Sequence, residues 1–243
     1  MPRFFIEQGA AAQTARITGE DARHIARTLR MKPGEEICLC DGAGTDYTGR
    51  IVSLDGDVVE VEVTAACASR AEPGVWAALY ISLPKGDKME LCVQKAVELG
   101  ASEIIPVMSA RCVSRPDGKT MEKKTARWQK IASEASKQAG RGIIPVVHSA
   151  LTFEQALADA QRFDLSLFLY ENEQEHSLKQ ALEERAYRSI ALFSGPEGGY
   201  EQTEAGRAVS AGAVCVTLGP RILRCETAPL AALSAVMYAS GNL

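Results

Sequence analysis

Apolar and polar positions along the chain follow two different rhythms. Up to about residue 65 the apolar pieces are short and closely spaced. They include Pro2–Gln8, Thr14–Glu20, Glu35–Asp41, Asp46–Leu54 and Asp57–Ala65. Asp41-Gly42 and Asp55-Gly56 divide the last three, and Asp-Gly pairs suit the tight turns of hairpins. One stretch departs from this pattern. Ala22, Ile25, Ala26 and Leu29 recur at i, i+3, i+4 and i+7, which predicts a helix over 21–31. Asp21 is its expected N-cap, and Lys32-Pro33-Gly34 its end. The expectation is a small, mostly antiparallel β domain with one helix, closed as a barrel, over residues 1–70.

Cys67–Gly74 is short and polar, carries Pro73-Gly74, and reads as a linker. Beyond it, from residue 74 to 243, apolar runs alternate with helical spacing. Strands are expected in VWAALYIS, SEIIPVMS, IIPVVHS, LSLFLYE, RSIALFS and AGAVCVTLG. Helices are expected over Asp87–Leu99, Met121–Gly140, Thr152–Gln161, Glu175–Glu184, Gln202–Ser210 and Thr227–Ala239. Trp128, Ile131, Ala135 and Ala139 run along one face of the second of these. Such alternation predicts an α/β domain, a parallel sheet with helices on both faces. There is no internal repeat.

The 243 residues are 46% apolar and 24% charged, which excludes a disordered, collagenous or coiled-coil chain. The longest apolar run, Val75–Ile81, is far short of the roughly 20 residues that span a bilayer. MPRFFIEQG carries no signal-peptide pattern, and seven cysteines without a CxxC pair fit a reducing compartment. A cytoplasmic protein is expected. The net charge of −4 argues against a polyanion as partner, but its distribution changes that picture. From Ser109 to Val147 nine basic residues face three acidic ones, a net of +6. From Leu151 to Tyr187 the net is −5. Arg16, Arg23, Arg27 and Arg30 form a second basic cluster. Basic surface is therefore local, although a solvated helix face explains any single one of these residues equally well.

Two loops at the C-terminal ends of predicted strands stand out, the position where open α/β sheets bind ligands. Ser194–Gly199 holds three glycines in five residues, which let backbone amides approach a ligand. Leu218–Ala228 places Arg221, Arg224 and Glu226 at the mouth of the last helix, with Thr227 as a candidate N-cap. Packing geometry and dipole compensation account for either loop alone. Two of them on successive strands favour a binding crevice. There is no GxxxxGK[ST], no GxGxxG and no GxSxG, so P-loop, dinucleotide-binding and common hydrolase sites are excluded. His24, His148 and His176 lack metal-ligand spacing, and Cys38 and Cys40 read as core positions. No metal is expected.

LFSGPEGGY followed by VTLGPRILRCETAPLAALSAVMY resembles the SPOUT superfamily of S-adenosylmethionine-dependent RNA methyltransferases. LPKGDKMELCVQKAVELGASEIIPV and EASKQAGRGIIPVV add to the likeness. Together they resemble the bacterial family that methylates N3 of a uridine in 16S ribosomal RNA. The likeness covers nearly the whole chain, with Cys225 where threonine is expected and Tyr200 where phenylalanine is common. It implies a SPOUT-type parallel sheet with a C-terminal trefoil knot and a small N-terminal PUA-like domain. It also implies a homodimer with S-adenosylmethionine bound near the subunit interface. By position it implies cofactor contacts from Leu169, Tyr170, Gly195, Glu197, Gly199, Leu218, Gly219, Ile222, Leu223 and Arg224.

Under that resemblance the enzyme must make uracil N3 nucleophilic. A base takes its proton and cationic donors stabilise the charge that spreads onto O2 and O4. Arg221 and Arg224 are the candidates for the anion. Glu134, Gln138 and Arg141, at i, i+4 and i+7, share a helical face, so Glu134 and Arg141 join the catalytic candidates. Glu134 or Glu226 is the candidate base. Lys95 and Glu98, at i and i+3, read equally as a surface ion pair. Arg16, Arg23, Arg27, Arg30, Arg111, Arg115, Lys123, Lys124 and Arg127 are candidate contacts to 16S rRNA phosphates. Alternatives remain open. One is a ribose 2′-O or tRNA-base methyltransferase of the same fold, and another is a non-catalytic RNA-binding factor.

Overall fold

A computed structural model describes residues 1–6 and 13–243, which divide into two compact units. The last part of the first apolar piece, Glu7 and Gln8, lies outside the described residues.

The first unit comprises Met1–Glu72 together with Ser136–Ile144. Its strands are β1 (Arg3–Phe5), β2 (Thr14–Thr18), β3 (Glu36–Cys40), β4 (Thr45–Asp55) and β5 (Val58–Ala68). They form a sheet in the order β1-β3-β4-β5-β2. β1 runs parallel to β3, and the other pairs are antiparallel. Period-2 alternation puts Ala15, Ile17, Ile37, Leu39, Val59 and Val61 into one core. Gly56, at φ +59°, makes the tight turn between β4 and β5 that the Asp-Gly pair predicts.

The expected helix forms, with different ends. α1 (Gly19–Arg23) follows β2 directly, so Thr18 in extended conformation is its N-cap. Asp21 therefore lies inside the first turn and its carboxylate meets Lys137 at 3.1 Å, which corrects its expected capping role. The chain then continues as a wider helical turn over His24–Thr28 that leaves Ile25 buried. Arg30, at φ +53°, takes the left-handed conformation that ends it, before Pro33 is reached.

Ser136–Ile144 joins this unit through Glu72. Its carboxylate accepts from the Gly142 amide at 2.8 Å and the Ile143 amide at 3.0 Å, and pairs with Arg141 at 2.6 Å. Cys40 Sγ donates to the Gly142 carbonyl at 3.1 Å.

The second unit, Pro73–Ala135 with Pro145–Leu243, holds a parallel sheet. Its strands are β6 (Trp76–Ser82), β7 (Glu103–Met108), β8 (Val146–Val147), β9 (Leu151–Thr152), β10 (Leu165–Leu169), β11 (Ser189–Ser194) and β12 (Val214–Val216). The order is β12-β10-β11-β6-β7-β8, with β9 also pairing β7. The helices are α2 (Lys88–Glu98), α3 (Gly118–Ala139, ending in the first unit), α4 (Phe153–Ala160), α5 (Leu178–Glu184), α6 (Gln202–Ser210) and α7 (Thr227–Ala239). Both faces of the sheet are buried. Leu79, Ile81, Leu167, Ile190 and Leu192 pack towards α2, α3, α5 and α7. Ala78, Tyr80, Phe168, Ala191 and Phe193 pack towards α4 and α6. Strands buried on both sides read as unbroken apolar runs, which is why VWAALYIS and RSIALFS are legible. At α7 the N-cap is Glu226, and Thr227 is the first helical residue, one position later than expected for a cap. Among the described residues no helix is long and apolar enough to cross a membrane.

One buried carboxylate ties the N-terminal ends of β6 and β7 together. Glu103 accepts from Trp76 Nε1 at 2.7 Å and meets His148 Nε2 and Arg162, each at 2.8 Å. Burial alone pushes its pKa up, but the bonds from His148, Arg162 and Trp76 prevail and hold it at about 2. Its folded pKa is therefore below the ordinary 4.5. The resulting stabilisation, of the order of 3 kcal/mol, is present above about pH 4.5 and is lost as pH falls towards 2. Urea unfolding at pH 7 should show E103Q to be less stable than the parent, and the gap should narrow at pH 3.

Candidate functional site

The parallel register brings the C-terminal ends of β12, β10 and β11 side by side. The loops that follow them enclose a cleft of about 780 Å³. Its walls are Leu169–Glu171 with Glu173 and Gln174, Ser194–Glu197 with Gly199 and Tyr200, and Val216–Cys225. The Tyr170 amide bonds the Val216 carbonyl at 3.1 Å, and Leu178 bonds Thr217 at 3.0 Å, so the first and third loops are stitched by backbone.

The glycines here have steric reasons. Gly199 stands at φ +65°, and a Cβ on it would lie 2.6 Å from Glu171 Oε1. A Cβ on Gly195 would lie 3.2 Å from the Tyr200 ring. Tyr200 itself anchors the loop. It is buried, its ring lies 4.2 Å from that of Phe168, and its hydroxyl accepts from Ser82 Oγ at 3.1 Å. The third loop is open, with Ile222 86% exposed and Arg221 exposed.

Charge gathers at one side of the cleft. Lys88 Nζ lies 2.9 Å from Glu197 Oε1, 3.5 Å from Glu226 Oε2 and 3.7 Å from Cys225 Sγ. Burial pushes the Glu197 carboxyl up, yet the Lys88 ammonium and the Lys85 amide outweigh it and hold it at about 2. The Cys225 thiol donates to Glu226 at 3.1 Å, which with Lys88 keeps the Glu226 carboxyl below its ordinary range. Burial and that same bond push the thiol up to about 12, so Cys225 is a neutral donor rather than a nucleophile. Among the described residues no group of side chains could hold a metal ion.

A basic loop between β7 and α3 reaches the glycine-rich loop. Arg111 donates to the Gly198 carbonyl at 2.8 Å, and the buried Glu204 accepts from the Ala110 amide at 2.9 Å. Arg115 is folded back onto the carbonyls of Ser109, Ala110 and Cys112.

All ten residues expected at a cofactor line this cleft, as does Arg221, and Glu226 stands just behind the wall. Glu134 and Arg141 do not line it. Glu134 is exposed on α3, and Arg141, 3% exposed, has its guanidinium on Glu72. Lys95 and Glu98 form the surface ion pair at 2.8 Å. Among the expected phosphate contacts, Arg16 meets Glu60 at 2.9 Å, Arg23 meets Asp57 at 3.9 Å and Arg127 meets Glu90 at 2.7 Å. Lys124 lies over Trp128, while Lys123, Arg27 and Arg30 are exposed. Sequence reasoning overlooked Lys88 and Glu171. A signal existed for Lys88: it opens a helix, where the dipole disfavours a cation, directly after the central strand β6.

Comparison with known proteins adds a family context. Residues 71–237 match the RNA methyltransferase domain family, and residues 17–64 match the RNA methyltransferase PUA domain family. The chain is 38% identical to ribosomal RNA small subunit methyltransferase E of Bacillus subtilis, over 98% of this chain and 96% of that protein. A crystal structure of ribosomal RNA small subunit methyltransferase E from Neisseria gonorrhoeae, bound to S-adenosylmethionine, is similar at 35% identity. It has a TM-score of 0.86, with 98% and 97% of the two chains covered. A methyltransferase structure from Legionella pneumophila with bound S-adenosylmethionine is similar at 29% identity and a TM-score of 0.84, with 98% and 97% covered.

Two substitutions separate backbone strain from packing. Gly199→Ala meets both a left-handed φ and Glu171, so its unfolding free energy should fall by about 1–2 kcal/mol. Gly198→Ala meets only ordinary contact with Arg111. It should stay within about 0.5 kcal/mol of the parent in the same denaturation experiment.

Proposed function

The chain belongs to the ribosomal RNA small subunit methyltransferase E family, and on that premise we propose that it methylates N3 of a uridine in 16S ribosomal RNA. It is an S-adenosylmethionine-dependent rRNA methyltransferase with an RNA-binding PUA-like domain. One observation carries the reading: the ten positions named by resemblance, scattered over 56 residues from Leu169 to Arg224, all line a single cleft. The residues present fit S-adenosylmethionine. The cleft is large enough, Gly195, Gly199 and Gly219 stand in its wall, and the space where a Cβ on Gly219 would lie is open.

When bound, the cofactor supplies an electrophilic methyl group on a sulfonium, so the protein needs no nucleophile of its own. The chain's task is to hold the uracil in line and to stabilise N3 once deprotonated. Arg221 and Arg224, on the open third loop, aim cationic donors at the charge that develops on O2 and O4. Glu226 and Glu134 are the candidate bases. Proton transfer to Glu226 works against the Cys225 and Lys88 contacts that hold it ionised. Glu134 and Arg141 stand outside the cleft of one chain, and their part in catalysis is tested by variants.

The PUA-like domain, residues 1–70, and the basic β7–α3 region serve RNA binding, and residues 74–243 form the catalytic domain. Arg16, Arg23, Arg27, Arg30, Arg111, Arg115, Lys123, Lys124 and Arg127 contact phosphates. The chain acts in the cytoplasm as a homodimer with a C-terminal trefoil knot, in keeping with the superfamily it resembles. Exposed Leu91 and Tyr238 offer apolar surface for the second copy.

The deciding experiment maps methyl groups on small-subunit rRNA by mass spectrometry from cells with and without the protein. Loss of one N3-methyluridine is expected. Retention of that base, with or without loss of a ribose 2′-O-methyl instead, would sink the uracil-N3 assignment. Arg221→Ala should lower methyl transfer by about a hundredfold while leaving cofactor affinity within about threefold. Full turnover by both Glu134→Gln and Glu226→Gln would remove carboxylates from the role of base. RNA affinity should fall steeply with salt, and a Lys123→Ala/Lys124→Ala variant should flatten the log–log slope by about 0.7–0.9 per lysine.

A further inference from the structure

We propose that Lys88 is a positioning residue that clamps the β6–α2, β11–α6 and β12–α7 connections into one preformed cofactor cleft; this rests on the reading of that cleft given above. Lys88 is not part of the cleft wall. It acts through Glu197 and Cys225, which are, and through Glu226 behind them. Three segments thus meet at one ammonium: the first turn of α2, the glycine-rich loop and the mouth of α7. The Lys85 amide adds a second bond to Glu197 Oε1 at 3.0 Å, so the β6–α2 connection grips that carboxylate twice.

An isolated surface ion pair contributes little. This one differs in what its loss exposes. Glu197 and Glu226 both lie within 3.5 Å of the same nitrogen, hence within about 6.5 Å of each other. Without the cation, two ionised carboxylates from two cofactor loops face each other with nothing between them, and the loops part. The location has the same logic. From β6 the chain proceeds to β7 on one side, whereas β11 lies on the other, so the connections after these neighbouring strands diverge. Divergence opens a crevice at such a switch point. Lys88 bridges it by side chain, beside the Lys85 amide on Glu197. Its position in the first turn of a helix, against the dipole, is compensated by the two carboxylates.

The experiment compares the full chain with Lys88→Met, Lys88→Arg, Glu226→Gln and the Lys88→Met/Glu226→Gln pair. S-adenosylmethionine affinity is read by calorimetry, and melting temperature and steady-state methylation of small ribosomal subunits are measured beside it. Lys88→Met should weaken cofactor binding by at least about tenfold, through a raised KM with kcat at saturation within about threefold. Lys88→Arg should restore affinity to within about threefold of the parent, since its fork reaches both carboxylates. Adding Glu226→Gln to Lys88→Met should recover at least about threefold, because it removes the repulsion. Four results would overturn the clamp. They are Lys88→Met binding within about twofold of the parent or more tightly, Lys88→Arg as weak as Lys88→Met, no recovery in the double variant, or a loss that merely follows a collapse in melting temperature. A parent protein that binds the cofactor but leaves the uridine unmodified would sink the proposed reaction alone, and the binding comparison would still decide the clamp. A parent that binds no cofactor would sink both.

Discussion

A parallel sheet with apolar side chains on both faces is the constraint on which the rest of this protein depends. Alternate residues of β6, β10 and β11 enter two separate cores, one under α2, α3, α5 and α7 and one under α4 and α6. A slip of one residue would exchange the two faces of a strand, so the register is strongly specified. Because the strands are parallel, that same register aligns all their C-terminal ends on one edge. The cleft is the outcome: segments distant in sequence meet because their strands are not free to slide.

Packing also extends outward into the loops. Tyr200 belongs both to the aromatic cluster around Phe168 and to the turn that carries Gly199. The turn therefore inherits the rigidity of the core, and Gly199, at its left-handed φ, is held beside a ring packed into that core. Electrostatics follows the same economy. Glu197, Glu226 and Cys225 are settled by one lysine, while Arg221 and Arg224 stand on the open loop beside them.

Much of the second unit was legible from residues 74 to 243, because strands buried on both sides are continuous apolar runs and the helices between them carry clear caps. Thr152 and Ser177 form capping boxes with Gln155 and Gln180, and the helix bounds of α6 and α7 match those expected. What escaped was long-range. Asp21 looks like an N-cap in isolation, but the strand that precedes it runs into the helix and moves the start back to Gly19. Glu134, Gln138 and Arg141 share a helical phase, yet the chain turns at Gly140, φ +72°, so Arg141 leaves the helix and meets Glu72. Spacing alone could not reveal that break. The ten cleft positions were legible through family resemblance, and composition or periodicity would not have found them. Lys88 was hidden for a different reason: its partners are 109 and 138 residues further along the chain.

Ser136–Ile144 folding with Met1–Glu72 has a consequence for how the chain is made. The Glu72 carboxylate, the Cys40 thiol and the backbone of Ala43 each have partners among Arg141, Gly142 and Ile143. During synthesis, the amino-terminal unit emerges first but lacks a piece of itself until some seventy further residues have left the ribosome. Its consolidation is therefore timed by β6, α2, β7 and α3, which must be threaded before the closing segment arrives. A fragment cut at the polar linker would carry the strands of the first unit and lack the segment that completes them.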